Sequence, residues 1–244
     1  MTIEMEYTKN QTIDEFNKEI FNIEKIYKAK FINWKGNTID TKEYYTEIIA
    51  NELLANLNTF SKINQVQRTQ DYRIPKHFPI MLSETTREEE IFAKRISGLE
   101  LKLIGKILDY QINIKGVQKD ESGKIDLISF NNQNKKFHLI EFKYKGNSND
   151  TLLRTILEIY TYFKQVDRKK LVTEYLFQNS NLNTEPDIEK IKVVPTVLLT
   201  DDCLAYEELQ DINSSKRNKL KTLILSLNIE IFSIELSLSN YFLI

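Results

Sequence analysis

Two short runs, KIDLISF (124–130) and FHLIEFK (137–143), each alternate apolar and polar side chains, and the polar NNQNKK (131–136) lies between them. Alternation with period two is the signature of a strand, and a short polar link between two such runs predicts a β-hairpin. Because the side-chain period is two, the pairing register decides which face every side chain occupies. Pairing Phe130 with Phe137 sets Asp126 directly across from Glu141, with Lys143 two residues further along the same face. Cross-strand partners bring their Cβ atoms to roughly 4.5–5.5 Å, and like charges placed there destabilise the pair. The hairpin therefore needs a compensating positive charge, either from Lys143 itself or from a bound cation.

The rest of the chain supplies an α/β frame for that hairpin. With 244 residues there is enough chain for one domain of the larger kind, or for one domain with an extension. Residues 12–30 and 40–59 read as amphipathic helices, the second with Thr41 as its cap and Tyr45, Ile48, Ile49, Leu53, Leu54 and Leu57 at helical spacing. Residues 64–83, with Pro75 and Pro79, read as a connecting loop. A further helix is expected from SETTREEE, where Thr86 and Glu89 have capping-box spacing. Its stripe of Phe92, Ile96, Leu99 and Leu103 runs to residue 104, and Gly105 suits its C-terminus. ILDYQINI (107–114) reads as a strand with Leu108, Tyr110, Ile112 and Ile114 on one face and Asp109, Gln111 and Asn113 on the other. After the hairpin come a helix capped by Asp150 and buried through Leu153, Ile156, Leu157, Tyr160 and Phe163, then IKVVPTVLL (191–199), apolar enough for a strand covered on both faces. Helical sequence near 203–226 and a strand at 228–236 follow. The order predicts an α/β core with a mixed sheet over 84–244 and a helical extension, 1–83, packed on it.

Composition removes several classes. The formal net charge of −1 provides no bulk positive field, so any nucleic-acid footprint must be local. The lone cysteine, Cys203, excludes an internal disulfide and a cysteine-built metal cage. No apolar run is long enough to span a bilayer, and MTIEMEYTKN carries acids where a signal peptide needs positive charge. A soluble cytoplasmic protein with no membrane partner is expected.

An Asp at the start of one strand, E-x-K on the next, an acidic helix before and an amphipathic helix after resemble the PD-(D/E)XK nuclease superfamily. The matching residues are Ile125-Asp126 and Glu141-Phe142-Lys143, and the resemblance covers roughly residues 84–200. It departs at Ile125, which stands where the superfamily has its namesake proline. The resemblance implies a restriction-endonuclease-like mixed sheet flanked by helices. It also implies a Mg²⁺-dependent phosphodiesterase, with Mn²⁺ substituting, that acts on nucleic acid, DNA before RNA. Asp126 and Glu141 would hold the metal and Lys143 would assist the attacking water. A helix acid, Glu88 or Glu89, would support the site, the capping-box spacing favouring Glu89. The helix after E-x-K would line the cleft, offering Arg154 and Gln165 to phosphate or base.

The chemistry has its own rationale. Phosphodiester hydrolysis needs a deprotonated water and builds negative charge on phosphate oxygens. Two hard carboxylates suit Mg²⁺, which takes oxygen ligands at about 2.0–2.1 Å and keeps several waters. A neighbouring ammonium can orient the water, help deprotonate it, or stabilise the developing charge. Simpler readings stand beside these. Lys143 neutralising one carboxylate would be an ion pair worth about 0–1 kcal/mol. Glu88 and Glu89 complement the helix dipole, and Arg154 with Glu158 makes an i,i+4 pair. Arg168-Lys169-Lys170 and Lys216-Arg217-Asn218-Lys219-Leu220-Lys221 fit a phosphate backbone or plain solvated helix ends. His77, His138 and Cys203 read as structural, and Tyr44, Tyr45, Tyr160 and Tyr162 as core. The alternative function is a catalytically inactive nucleic-acid- or partner-binding protein on the same scaffold, and a purely structural α/β domain is a third reading. The N-terminal helices would serve dimerisation or substrate choice.

Overall fold

The computed structural model describes residues 6–73, 88–114, 123–144, 149–176, 188–236 and 241–243. Helix α1 (Lys9–Glu19) starts at a capping box in which Thr8 and Gln11 satisfy each other's backbone amides. The expected long helix over 12–30 does not continue: from Ile20 to Lys28 the chain tightens into 3₁₀ geometry, with Asn22 out of helical conformation. Its buried residues Ile20, Ile23 and Ile26 recur every third position. In a 3₁₀ helix such residues eclipse one another, which makes one continuous apolar edge. Helix α2 (Tyr45–Ala55) is capped at Tyr44, not at Thr41. Thr41 instead bonds Thr38 within the preceding turn, at 2.9 Å. Another 3₁₀ segment, Leu57–Lys62, follows.

Helix α3 (Glu88–Ile96) is shorter than its apolar stripe suggests. Gly98 takes φ +85°, a left-handed turn that ends the helix. The next residues form β1 (Glu100–Leu101), which hairpins onto β2 (Gly105–Asn113). Leu99 and Leu103 are accordingly 40% and 39% exposed rather than core. Gly105, the first residue of β2, takes φ +78°, and a Cβ there would lie 2.2 Å from the Phe130 carbonyl oxygen. The Thr86 half of the expected capping box, Pro75, Pro79 and His77 lie outside the described residues.

Strands β3 (Lys124–Asn131), β4 (Lys136–Lys143), β5 (Lys192–Thr200), β6 (Glu230–Leu236) and β7 (Tyr241–Leu243) complete a mixed sheet whose spatial order is the chain order. Strands β1 to β4 pair antiparallel, β4–β5–β6 run parallel, and β7 returns antiparallel. The parallel steps need crossovers. These are α4 (Leu152–Gln165) with α5 (Arg168–Leu176), and α6 (Leu204–Asn213) with α7 (Asn218–Ser226). The expected single helix near 203–226 is thus two, broken where Ser215 takes φ +63°.

Two apolar clusters sandwich the sheet. The larger joins Phe16, Ile26, Phe31 and Leu53 of the N-terminal helices to Leu153 and Ile156 of α4, Leu223 of α7, and Phe137, Leu139 and Val197 of the strands. The smaller packs Phe92 and Ile96 of α3 on Leu127, Ile140, Phe142 and Leu198. Neighbouring residues of β4 and β5 thus enter different clusters, the double coverage that a parallel strand requires. Among the described residues no helix is long and apolar enough to cross a membrane.

Candidate active site

The hairpin register is Phe130 opposite Phe137 and Leu127 opposite Ile140. Beyond that point the strands part company. Strand β3 stays with β2, Ile125 pairing Ile112, while β4 follows β5, Glu141 pairing Val197 and Lys143 pairing Leu199. The backbone amide of Phe142, which loses its partner at this fork, donates instead to Asp126 Oδ2 at 3.0 Å. A buried amide must be satisfied somewhere, and here a side-chain carboxylate does it. Asp126 Oδ1 accepts from Gln111 Nε2 at 2.9 Å.

Asp126, Glu141 and Lys143 are 9%, 4% and 6% exposed. The Asp126 and Glu141 carboxyl groups are close enough for the Asp126 charge to act on Glu141, and Glu141 Oε2 is buried without a donor. Lys143 Nζ stands 2.7 Å from Glu141 Oε1, 3.4 Å from Asp150 Oδ2 and 3.8 Å from Glu158 Oε2. One ammonium therefore serves several carboxylates, and the balance of the cluster is acidic. Burial pushes the Asp126 carboxyl up to about 6, the Lys143 charge and the Phe142 amide pulling the other way. Burial first, then the Asp126 and Glu158 charges, hold Glu141 well above the usual carboxylate range. Burial alone would lower Lys143, but Glu141, Glu158, Asp126 and Asp150 outweigh it and hold the ammonium well above its ordinary range. Glu89, in the first turn of α3, is raised to about 7 by burial and then by the charge of Asp126. Of the three adjacent acids, Glu88 is exposed and Glu90 pairs with Lys94 at 3.0 Å, so Glu89 is the one turned to the cluster.

Helix α4 supplies the other wall, in a different way from that expected. Its N-cap is Thr151, whose hydroxyl accepts from the Arg154 amide at 3.2 Å. Asp150, the expected cap, is thereby released to bind Lys143 and, at 3.1 Å, Arg154. Asn33 fixes this corner: its Nδ2 donates to Asp150 Oδ1 at 3.2 Å and its Oδ1 accepts from the Thr151 amide at 2.7 Å. Glu158 turns to Lys143 rather than to Arg154, and its Oε1 accepts from the Tyr162 hydroxyl at 2.7 Å. Arg154, Glu158 and Tyr162, at i, i+4 and i+8 on α4, thus all make polar contacts at this wall. Gln165 lies two turns past Glu158, about 10 Å along the axis, and its backbone carbonyl accepts from the Val66 amide at 2.7 Å.

The donor set bears on what the site can hold. Asp126, Glu141 and Glu89 offer hard oxygens, the chemistry that fits Mg²⁺, and the buried Glu141 Oε2 is an open acceptor. Among the described residues no three His, Cys, Asp or Glu side chains form a group that could hold a metal ion. A cation would therefore be carried by the Asp126–Glu141 pair and water, with Glu89 in support.

The remaining candidates fall away from this site. His138 is buried, bonded to Thr196 at 2.9 Å, and burial holds its pKa down to about 4. Cys203 is buried in the larger cluster. Lys170 binds the carbonyls of Arg68 and Thr69, and Arg168 stacks 4.5 Å above Phe163. Arg217 is a buried brace, 3.4 Å from Glu208, 3.2 Å from Asp211 and stacked 3.9 Å from Tyr44. Tyr45 is buried and Tyr160 packs edge-on to Phe60, whereas Tyr162, also buried, stays at the site through its bond to Glu158.

Sequence reasoning passed over Asn33, and it read Gln111 as a strand-face residue, Asp150 as a helix cap and Glu158 as a partner of Arg154 rather than as neighbours of Asp126 and Lys143. The register at the start of β2, Lys106 with Phe130, would set Tyr110 opposite Asp126, and the bulge at Leu108 shifts the pairing by one and brings Gln111 there instead. Comparison with protein-family models, curated proteins and solved structures finds no match to this chain. Any functional reading therefore rests on these residues and on the resemblance they carry.

Proposed function

We propose that this chain is a divalent-cation-dependent nuclease, hydrolysing phosphodiester bonds of DNA in preference to RNA on a restriction-endonuclease-like core. The observation that supports this reading above all is the buried Asp126–Glu141 carboxyl pair with the Lys143 ammonium 2.7 Å from Glu141. Close, buried like charges cost stability without a function to retain them. Asp126 and Glu141 would hold Mg²⁺, or Mn²⁺ in its place, with Glu89 close by. When bound, the cation would polarise the phosphoryl group and lower the pKa of a coordinated water. Lys143 is kept charged by its neighbours, so its role is that of a fixed ammonium that orients the water and stabilises charge on phosphate oxygens, rather than a base. Asp150 and Glu158 hold that ammonium in place. Arg154, one-third exposed beside Asp150, is the side chain suited to meet a phosphate.

The test is cleavage of plasmid, linear duplex, single-stranded DNA and RNA with Mg²⁺ or Mn²⁺, using Asp126→Asn as control. Metal-dependent cleavage lost in Asp126→Asn supports the assignment; equal activity in both proteins, or none on any substrate, refutes it. A second reading draws on the lack of a three-donor group among the described residues. It makes the chain a nucleic-acid- or partner-binding module whose Lys143 permanently neutralises Glu141. That module would show no saturable Mn²⁺ binding sensitive to Asp126→Ala.

A further inference from the structure

We infer that Gln111 is a positioning residue for Asp126, bought at the cost of backbone strain in β2; this rests on the nuclease reading of the site. Gln111 takes φ +52°, the left-handed region that non-glycine residues rarely enter inside a strand. The pairing on either side shows where it sits. Tyr110 pairs Leu127 and Ile112 pairs Ile125, so Gln111 falls opposite Asp126. The strand there is not a regular one. Tyr110 joins the α3-side cluster and Ile112 the larger one, although residues two apart in a regular strand share a face. Ile125 and Leu127 of β3 divide between the same two clusters, so both strands change face at the level of Asp126, and the left-handed Gln111 sits at that point of β2.

What that conformation achieves is the Gln111 Nε2–Asp126 Oδ1 hydrogen bond at 2.9 Å. The Phe142 amide takes the other carboxylate oxygen at 3.0 Å. With one donor on each oxygen the carboxylate plane is fixed, and each oxygen keeps lone-pair capacity for a cation. Strained backbone persists where the surrounding structure enforces it, and it gathers at functional sites. A neutral amide is the fitting donor. It orients the carboxylate without competing for the cation as a second ammonium would.

Two substitutions separate the amide from the strain. Gln111→Gly accepts positive φ freely and has no side chain, and Gln111→Asn tolerates the same conformation but carries its amide one methylene short. Both should keep or raise the midpoint of urea unfolding. Both should weaken Mn²⁺ binding, followed by calorimetric titration, by about tenfold or more, the scale seen when a ligand's outer partner is removed. DNA cleavage should fall through kcat, with KM for DNA little changed. Variants that bind Mn²⁺ as tightly as wild type would overturn the role of Gln111 while leaving the site reading intact. Variants whose unfolding midpoint falls in step with their affinity would show that Gln111 merely holds β2 to β3. Absence of any saturable Mn²⁺ binding in the wild type overturns this inference together with the nuclease reading.

Discussion

Replacing Glu89 by Gln should make the metal-free protein more stable, by an amount that grows as pH rises from about 4.5 to about 7. Glu89 is raised from an ordinary 4.5 to about 7 by burial and the Asp126 charge. In the unfolded chain the same carboxyl loses its proton near its ordinary value. Between those two pH values the native state binds more protons than the unfolded state, so stability falls as pH rises. Above about pH 7 the native state carries the whole penalty, roughly 3 kcal/mol at about 1.4 kcal/mol for each tenfold change in proton affinity. Gln cannot ionise and removes that term. Glu89→Gln should therefore match wild type near pH 4 and exceed it by up to ~3 kcal/mol near pH 8, with most of the change between the two. Urea unfolding with a chelator present, at several pH values, measures the difference directly. Comparing the two proteins cancels the opposite contribution of His138, which destabilises the native state as pH falls from its ordinary 6.5 to about 4. Saturating Mn²⁺ should narrow the gap, because a cation relieves the same repulsion. A difference independent of pH, or a variant less stable than wild type near pH 8, would refute the picture of Glu89 as a crowded acid facing Asp126.

Lys143→Met removes the one ammonium among these carboxylates, so without metal it should lower stability at neutral pH by about 3–5 kcal/mol, the scale of an orphaned buried charge partner. Mn²⁺ should restore much of that stability, while cleavage stays down by ~10²-fold for want of the positioned charge. Chemical denaturation with and without Mn²⁺ and single-turnover cleavage check the two halves, and a variant as stable as wild type without metal would contradict the first. Asn33→Ala strips the Thr151 amide of its acceptor and Asp150 of a donor, and should cost ~1–3 kcal/mol. Asn33→Asp keeps the acceptor but sets a second charge against Asp150, so it should retain more stability than Asn33→Ala at low pH than at pH 8; identical pH profiles for the two would show that Asn33 does not act on Asp150.

The hairpin and its register were legible because they are local. Two alternating runs joined by a short loop admit few pairings, and the Phe130–Phe137 choice carries Asp126, Glu141 and Lys143 to one place. The strand at 191–199 and the helix after the hairpin were legible for the same reason, each written in its own periodicity. Tertiary structure decided what depends on neighbours far along the chain. The stripe through Leu99 and Leu103 is helical by spacing, yet Gly98 ends α3 and the residues beyond it pair with β2. Asp150 and Thr151 compete for one cap; Thr151 takes it, and Asp150 engages Asn33 and Lys143 instead. The Leu108 bulge and the turned backbone of Gln111 have no mark in an alternating sequence, since they arise where β2 must satisfy two clusters and one carboxylate together. Periodicity specifies which face a side chain prefers. Which charges meet on that face is settled only when strands and helices distant in sequence close around them.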